Sequence, residues 1–240
     1  EHDFSPTEVT GKHLPPEELH TWLAEGKNFE IVDMRNDYEH ALGHFKGSIL
    51  PPLENFRDLP KVLSTLEPLK EKTVLTVCTG GVRCEKASAW FKHRGFKNVH
   101  QLEGGIIKYA NDCKEKGLEN KFIGKNFVFD ERRGERITPD IISICHQCGA
   151  PADTHTNCLN EACHLLFIQC ESCKATMENC CSTTCQETIH LPLETQKEMR
   201  KGQNKSNLIF KKGRSTALPF QGHKEKPQAL VDQALQNSNQ

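Results

Sequence analysis

Nine of the chain's twelve cysteines lie between Cys145 and Cys185, and eight of them read as four short-spaced pairs. The pairs are Cys145 with Cys148, Cys158 with Cys163, Cys170 with Cys173, and Cys185 with either Cys180 or Cys181, of which Cys181 is taken as the partner. Two thiolates a few residues apart grip one tetrahedral ion, and two such pairs close a four-sulfur site. Eight ligands therefore predict two ions. Consecutive pairing satisfies the spacing, and so does an interleaved arrangement in which the first pair joins the third and the second joins the fourth; interleaving is the expectation. His146 and His164 each sit beside a cysteine and compete as ligands, but the cysteines suffice without them. Iron–sulfur clusters also use four cysteines, and the spacing alone does not exclude them. Two structural zinc ions are expected, standing in for a core that this polar segment is too poor in apolar residues to build.

The rest of the chain argues against a disulfide scaffold, because residues 1–120 hold only Cys78, Cys84 and Cys113 and no positively charged, apolar leader precedes them. The 240 residues carry 31 Lys and Arg against 32 Asp and Glu, and no apolar run approaches the ~18 residues of a membrane span. A soluble, cytoplasmic protein without a membrane partner is expected. The opening "EHDFSPTEVTG" has the character of a linker and begins at Glu1 rather than Met, so the sequence is expected to be a piece of a longer protein.

Apolar periodicity organises residues 10–120 as one α/β domain. Leu19, Trp22 and Leu23 follow a Pro pair at helical spacing, and "NFEIVDMR" reads as a short buried strand. "NDYEHALGHF" and "LPKVLSTLEPL" suit short helices, and "KTVLTV" and "KNVHQL" are strands. "CEKASAWFKHRG" and "GGIIKYANDCKEKG" are helices stopped by Gly95 and Gly117. The alternation predicts a mainly parallel sheet flanked by helices. Residues 1–9 are assigned to a linker. Residues 121–190 are assigned to a connecting strand, read as exposed in "KNFVFDERRGER", and the cysteine-rich module. Residues 191–240, with nine Lys or Arg against four Asp or Glu, are assigned to a short helix and a basic, largely disordered tail.

In open α/β sheets ligands bind beyond the carboxyl ends of strands, and Cys78 directly follows "TVLTV". The loop "CTGGVR" continues through Thr79, Gly80, Gly81, Val82 and Arg83 into a helix whose quoted run begins at Cys84. Its glycines let several N–H groups turn toward one point, and the helix adds its positive end; such a cradle lowers a thiol pKa and makes the sulfur nucleophilic. The alternative role for Cys78 is that of a small buried hydrophobe at a strand end. A thiol phosphatase would place its arginine six residues after the nucleophile, a position held here by Cys84, so the tighter loop fits a single extra sulfur better than a phosphate.

"CTGGVR" together with "IVDMRNDYEHALGHFKGSI" resembles a rhodanese domain. That resemblance implies that Asp33, Arg35 and the "GHFKGS" segment support the loop. An ordinary surface ion pair is the plainer reading of Asp33 and Arg35. Rhodaneses often carry Ser or Thr at the position of Cys84. The wider series "VDMRNDYE", "CTGGVRCEKASAW", "LEGGIIKYA", "GKNFVFDERRGERI", "CHQCGAPADTHTNC" and "CHLLFIQCESC" resembles the TrhO family of tRNA uridine hydroxylases over about residues 10–215. Members of that family usually carry a further small α+β domain ahead of the rhodanese domain.

This second resemblance implies oxygen-dependent hydroxylation of C5 of the wobble uridine, with Cys78 as nucleophile or persulfide carrier and Arg83 beside it. Dioxygen is then a co-substrate and an unidentified reductant is required. No flavin or nicotinamide fingerprint and no two-histidine-one-carboxylate pattern appears in the sequence. The expected partners are a tRNA anticodon loop and a sulfur or electron donor protein, with no role for DNA. Arg132, Arg133 and Arg136, with Lys201, Lys205, Lys211, Lys212 and Arg214 further on, are the candidate RNA contacts, although such runs are more often solvated faces. The balanced overall charge predicts modest, salt-sensitive binding. Two rival readings use the same residues: a sulfurtransferase passing persulfide sulfur from Cys78 to a thiol, and a zinc-organised interaction module with an inert rhodanese domain.

Overall fold

The computed structural model describes residues 9–53, 56–129, 133–202, 215 and 217–220. Backbone contacts divide the chain into two compact units, with the division between Asp140 and Ile141.

The first unit is built on a four-stranded parallel sheet in the order β1-β5-β4-β2, from β1 (Lys12–Leu14), β2 (Glu30–Asp33), β4 (Thr73–Val77) and β5 (Asn98–Leu102). Every residue of β2 and the last four of β4 are buried, the mark of strands covered on both faces. Successive β4 side chains face opposite cores. Val74 packs with Leu66, Trp90 and Phe91, whereas Leu75 and Val77 pack with Leu19, Ile106 and Tyr109. The covering helices are α1 (Pro16–Ala24), started by Pro in its first turn, α4 (Val82–His93) and α5 (Gly105–Lys116), the last closed by Gly117 in the left-handed conformation.

Three segments depart from the sequence expectation. The helix expected over "NDYEHALGHF" is confined to α2 (Asp37–His40); Gly43–Phe45 is instead strand β3, antiparallel to β6 (Phe122–Asn126). Phe45 draws this segment into the core, where its ring lies 5.0 Å from Tyr109 and 5.5 Å from Phe122. The strand expected as exposed near residue 125 is β6, which begins earlier and alternates buried and half-buried residues because Phe122 is inside. β6 also pairs with β7 (Glu135–Arg136), completing a second, antiparallel sheet. The helix expected in "LPKVLSTLEPL" is split, with α3 (Leu63–Leu66) between 3-10 turns that contain Pro60 and Pro68, residues that lack the N–H an α-helix interior needs.

The second unit has a smaller core and comprises a hairpin of β8 (His155–Asn157) and β9 (Leu166–Ile168), then α6 (Glu171–Thr176), α7 (Thr183–Ile189) and α8 (Leu193–Arg200). Phe167, Leu165 and Leu218 pack among Cys158, Cys180 and Cys181. Leu218 lies in a stretch that composition assigns to the tail, yet it is buried, and the Phe220 N–H donates to the His146 carbonyl at 3.0 Å. Among the described residues no helix is long and apolar enough to cross a membrane.

Candidate active site and candidate metal centres

Cys78 follows β4 directly and is 1% exposed. The chain turns at once through Gly81, whose φ of 91° is open to glycine and strained for other residues, and enters α4. The Gly81 N–H donates to the Cys78 sulfur at 3.2 Å. The thiol of Cys84, the N–H groups of Cys84 and Arg83, and the Arg83 charge act on the same atom. The Cys84 hydrogen bond is the largest influence and, with the others, outweighs burial to bring the Cys78 pKa down to about 6. Burial and the neighbouring Cys78 sulfur push Cys84 well above the ordinary thiol range, so Cys84 keeps its proton and donates it. At neutral pH the pair is one thiolate and one thiol.

A second layer holds the loop from behind. The Ile106 and Ile107 N–H groups donate to the Cys78 and Thr79 carbonyls at 3.0 and 3.1 Å, so the first turn of α5 fixes the loop backbone. This approach demands a glycine: a Cβ on Gly105 would lie 2.6 Å from the Cys78 carbonyl oxygen and 2.7 Å from the Gly81 nitrogen.

Arg83 does not lie free above the sulfur. Its two terminal nitrogens donate to the Glu39 carboxylate at 2.7 and 2.8 Å, and one also reaches Thr79 Oγ1 at 3.2 Å. Glu39 is fully buried and also accepts the Asn36 N–H at 3.0 Å, closing a capping box at the start of α2. Sequence reasoning missed Glu39. The legible signal was Asn36 followed three residues later by Glu, which marks a helix start but says nothing of Arg83. Gly105 was equally missed, although it is the second glycine of "LEGGIIKYA".

Asp33 and Arg35 form a fully buried pair, not a surface one, with Arg35 Nη2 at 2.6 Å from Asp33 Oδ2. Arg35 also donates to the Gly43 carbonyl at 2.8 Å and to Asn126 Oδ1 at 3.3 Å, tying β2 to β3 and β6. Burial works to raise the Asp33 pKa, but the adjacent guanidinium holds it below the ordinary carboxylate range. Gly80 has open space around its Cα and Val82 points largely to solvent, at 76% exposure.

In the second unit the sulfurs gather into two clusters, Cys145, Cys148, Cys170 and Cys173, and Cys158, Cys163, Cys181 and Cys185, each with all its sulfurs within 4.8 Å of one another. The pairs interleave, and Cys181 rather than Cys180 completes the second cluster. Sulfur separations of 3.6 Å (Cys148 to Cys170, Cys163 to Cys181) and 3.8 Å (Cys181 to Cys185) far exceed a disulfide bond of about 2.05 Å. Four thiolates at about 2.3 Å from one tetrahedral ion stand about 3.8 Å apart, so both sets fit a single metal ion. Cys170 and Ser182 cap α6 and α7, which places one ligand pair of each cluster at a helix start. His146 accepts the Ile168 N–H through Nδ1 at 3.3 Å, and His164 Nε2 lies 3.3 Å from the Asn157 amide; neither joins a cluster.

Of the candidate RNA contacts, Arg132, Lys205, Lys211, Lys212 and Arg214 lie outside the described residues. Arg133 adopts a left-handed φ of 52° before β7, and Arg136 donates to the Thr138 and Asp140 carbonyls at 3.4 and 3.3 Å.

Residues 15–112 match the rhodanese-like domain family, and residues 123–186 match the rhodanase C-terminal family. A protein of Sodalis glossinidius (strain morsitans) named tRNA uridine(34) hydroxylase is 55% identical over 212 residues, which are 88% of this chain and 60% of that protein. One of the same name from Pectobacterium atrosepticum is 51% identical over 88% of this chain and 59% of its own length. The chain thus spans about 60% of the length of these curated relatives. A solved rhodanese-like domain protein from Staphylococcus aureus is 29% identical and covers 41% of this chain and 90% of that one, with a TM-score of 0.36.

Proposed function

We propose, from its 51–55% identity over 88% of its length to proteins named tRNA uridine(34) hydroxylase, that the chain takes part in hydroxylating C5 of an unpaired wobble uridine in tRNA, with Cys78 as the reacting group. The net change replaces the C5 hydrogen by hydroxyl and consumes one dioxygen, two electrons and two protons, with release of water. The electrons come from an external reductant, and a donor protein supplies them or the sulfur carried on Cys78.

The observation that carries this reading is the Cys78 cradle: a thiolate at neutral pH, held by loop amides and the Cys84 thiol. Addition of such a sulfur to C6 of uracil makes C5 an enolate-like nucleophile able to take oxygen, and the loop amides stabilise the anion. Cys78 itself is sealed at 1% exposure, which favours a persulfide, since a second sulfur extends the nucleophile by about 2 Å toward the opening. Asp33 and Arg35 support the loop rather than react. Arg133, Arg136 and the undescribed Arg132 contribute positive charge for the anticodon loop. The two four-cysteine clusters each hold a zinc ion, which soft thiolates select and whose role is to order the second unit. The site of action is the cytoplasm, where tRNA is modified.

Rhodanese-type transfer of persulfide sulfur to a thiol acceptor is the second reading, and it rests on the same loop and on the rhodanese-like match over residues 15–112. The product separates the two. Nucleosides of tRNA from cells lacking the native activity are analysed by mass spectrometry after complementation with this chain, joined to any upstream segment of its gene, or with its Cys78→Ser variant. 5-Hydroxyuridine appearing only with the intact cysteine supports the hydroxylase; unchanged nucleosides with both sink it and leave the sulfurtransferase.

A further inference from the structure

The first unit shows two large apolar side chains to solvent that its fold does not use: Val82 at 76% exposure and Phe129 at 67%, the two most exposed among the described residues up to Asp140. Both border Arg83. Val82 precedes it in the first turn of α4, and the Arg83 guanidinium carbon lies 5.8 Å from the centre of the Phe129 ring. Phe129 is set in place by a T-shaped contact with the buried Phe127 at 5.2 Å, and Phe127 makes a matching contact with Tyr38 at 5.2 Å. The chain of rings therefore runs from the interior to the rim of the Cys78 loop and ends in an open aromatic surface.

Charge says what this surface is suited to. Arg83 is the cation of the loop, and its fork is taken up by the buried carboxylate of Glu39. The rim beside Phe129 thus presents a neutral ion pair and an apolar ring, a poor receptor for a phosphate or thiosulfate anion and a good one for a flat, uncharged heterocycle. Splayed bases of single-stranded RNA are recognised in this way, by stacking on aromatic rings and guanidinium planes. We propose that Phe129 is a stacking platform for an unpaired pyrimidine base, which it holds at the mouth of the Cys78 loop. The proposal rests on the RNA reading of the preceding subsection and adds to it the residue that receives the base.

The test measures binding of the whole chain to a stem-loop RNA with an unpaired uridine in its loop, and to the same RNA with that uridine made abasic. Phe129→Ala is expected to weaken binding of the uridine RNA by about 5- to 150-fold, the range that loss of one base–aromatic stack gives. Phe129→Tyr, which keeps the ring, is expected to stay within about twofold of the parent, and thermal melting of each variant checks the fold. The abasic RNA should bind the parent as weakly as Phe129→Ala binds the uridine RNA, with no further loss when both changes are combined. Phe129→Ala binding like the parent, or losses that simply add, would overturn the platform while leaving the RNA reading standing. A parent chain that binds neither RNA overturns both, and retention by Phe129→Ala of RNA binding with loss of binding to a protein partner would assign the ring to that partner.

Discussion

Cys78 and Cys181 are both buried thiols, and the two halves of the chain hold them by opposite means. Around Cys78 the fold comes first: strands covered on both faces, helices stopped by glycine, and a loop braced from behind by α5 leave the sulfur facing N–H groups and one protonated thiol. Around Cys181 the sulfurs face one another, and four thiolates at such separations repel unless a cation sits between them. One environment stabilises a single negative sulfur with dipoles already fixed in place; the other needs an ion to make the environment at all. The same residue type is thus poised as a single thiolate in a packed unit and gathered in fours, with the geometry of a metal site, in a poorly packed one.

Removing metal should divide the halves most sharply. A structural thiolate site contributes on the order of 10 kcal/mol of binding free energy at neutral pH, more than a small unit's whole stability. Chelation is expected to abolish amide-exchange protection in β8 and β9 while β4 and β5 keep theirs. Full protection of β8–β9 after the ions are gone would erase the contrast. A smaller effect is expected from Glu39→Ala, which strands the Arg83 cation in the first unit. Breaking a buried pair costs about 3–5 kcal/mol, and the partial exposure of Arg83 puts this variant near the lower end in denaturant unfolding. An unfolding midpoint equal to the parent's would show that the clamp does not hold the loop.

Smaller again is Gly105→Ala, whose methyl group meets the Cys78 carbonyl and whose φ of 66° disfavours a side chain. A loss of about 1–3 kcal/mol is expected, with slower alkylation of Cys78 as the loop shifts. The finest test concerns titration. Alkylation of Cys78 should reach half its full rate near pH 6, and Cys84→Ala should move that midpoint upward while Cys84→Ser, which keeps a donor, moves it less. Since folding favours the Cys78 thiolate, its contribution to stability is complete above the free-thiol pKa of about 8.5 and fades as pH falls through about 6. Melting of the parent compared with Cys78→Ser across that window reads the difference, and a flat difference would refute it.

What could be seen in the sequence followed from local rules. β4 stands out because a buried parallel strand is a nearly continuous apolar run, and α4 and α5 because Gly95 and Gly117 punctuate the helices. The cysteine sets stand out because ligand spacing is a local property. Their interleaving was only one of two arrangements until the β8–β9 hairpin set the crossing. β3 and β6 pair across most of the first unit, so the pattern of "GHF" alone suggested a helix end. Glu39 acquires its role from Arg83, far along the chain, and a helix-cap motif carries no trace of that. A supporting role for Arg35 came from the resemblance alone, because nothing local reveals that Asp33, Gly43 and Asn126 converge on it.

The interleaving also sets an order of assembly. During synthesis Cys158 and Cys163 emerge before the first site is complete at Cys173, and they wait for Cys181 and Cys185. Each ion spans a loop that contains half of the other's ligands, so the two closures are linked like crossed straps. Once one is fastened, the other's ligands are held near each other at high effective concentration, and the second closure no longer bears the whole entropy of bringing distant chain together. Loading and release of metal are therefore expected to be cooperative, with a half-filled second unit as a passing state between an unbuckled chain and a fully fastened one.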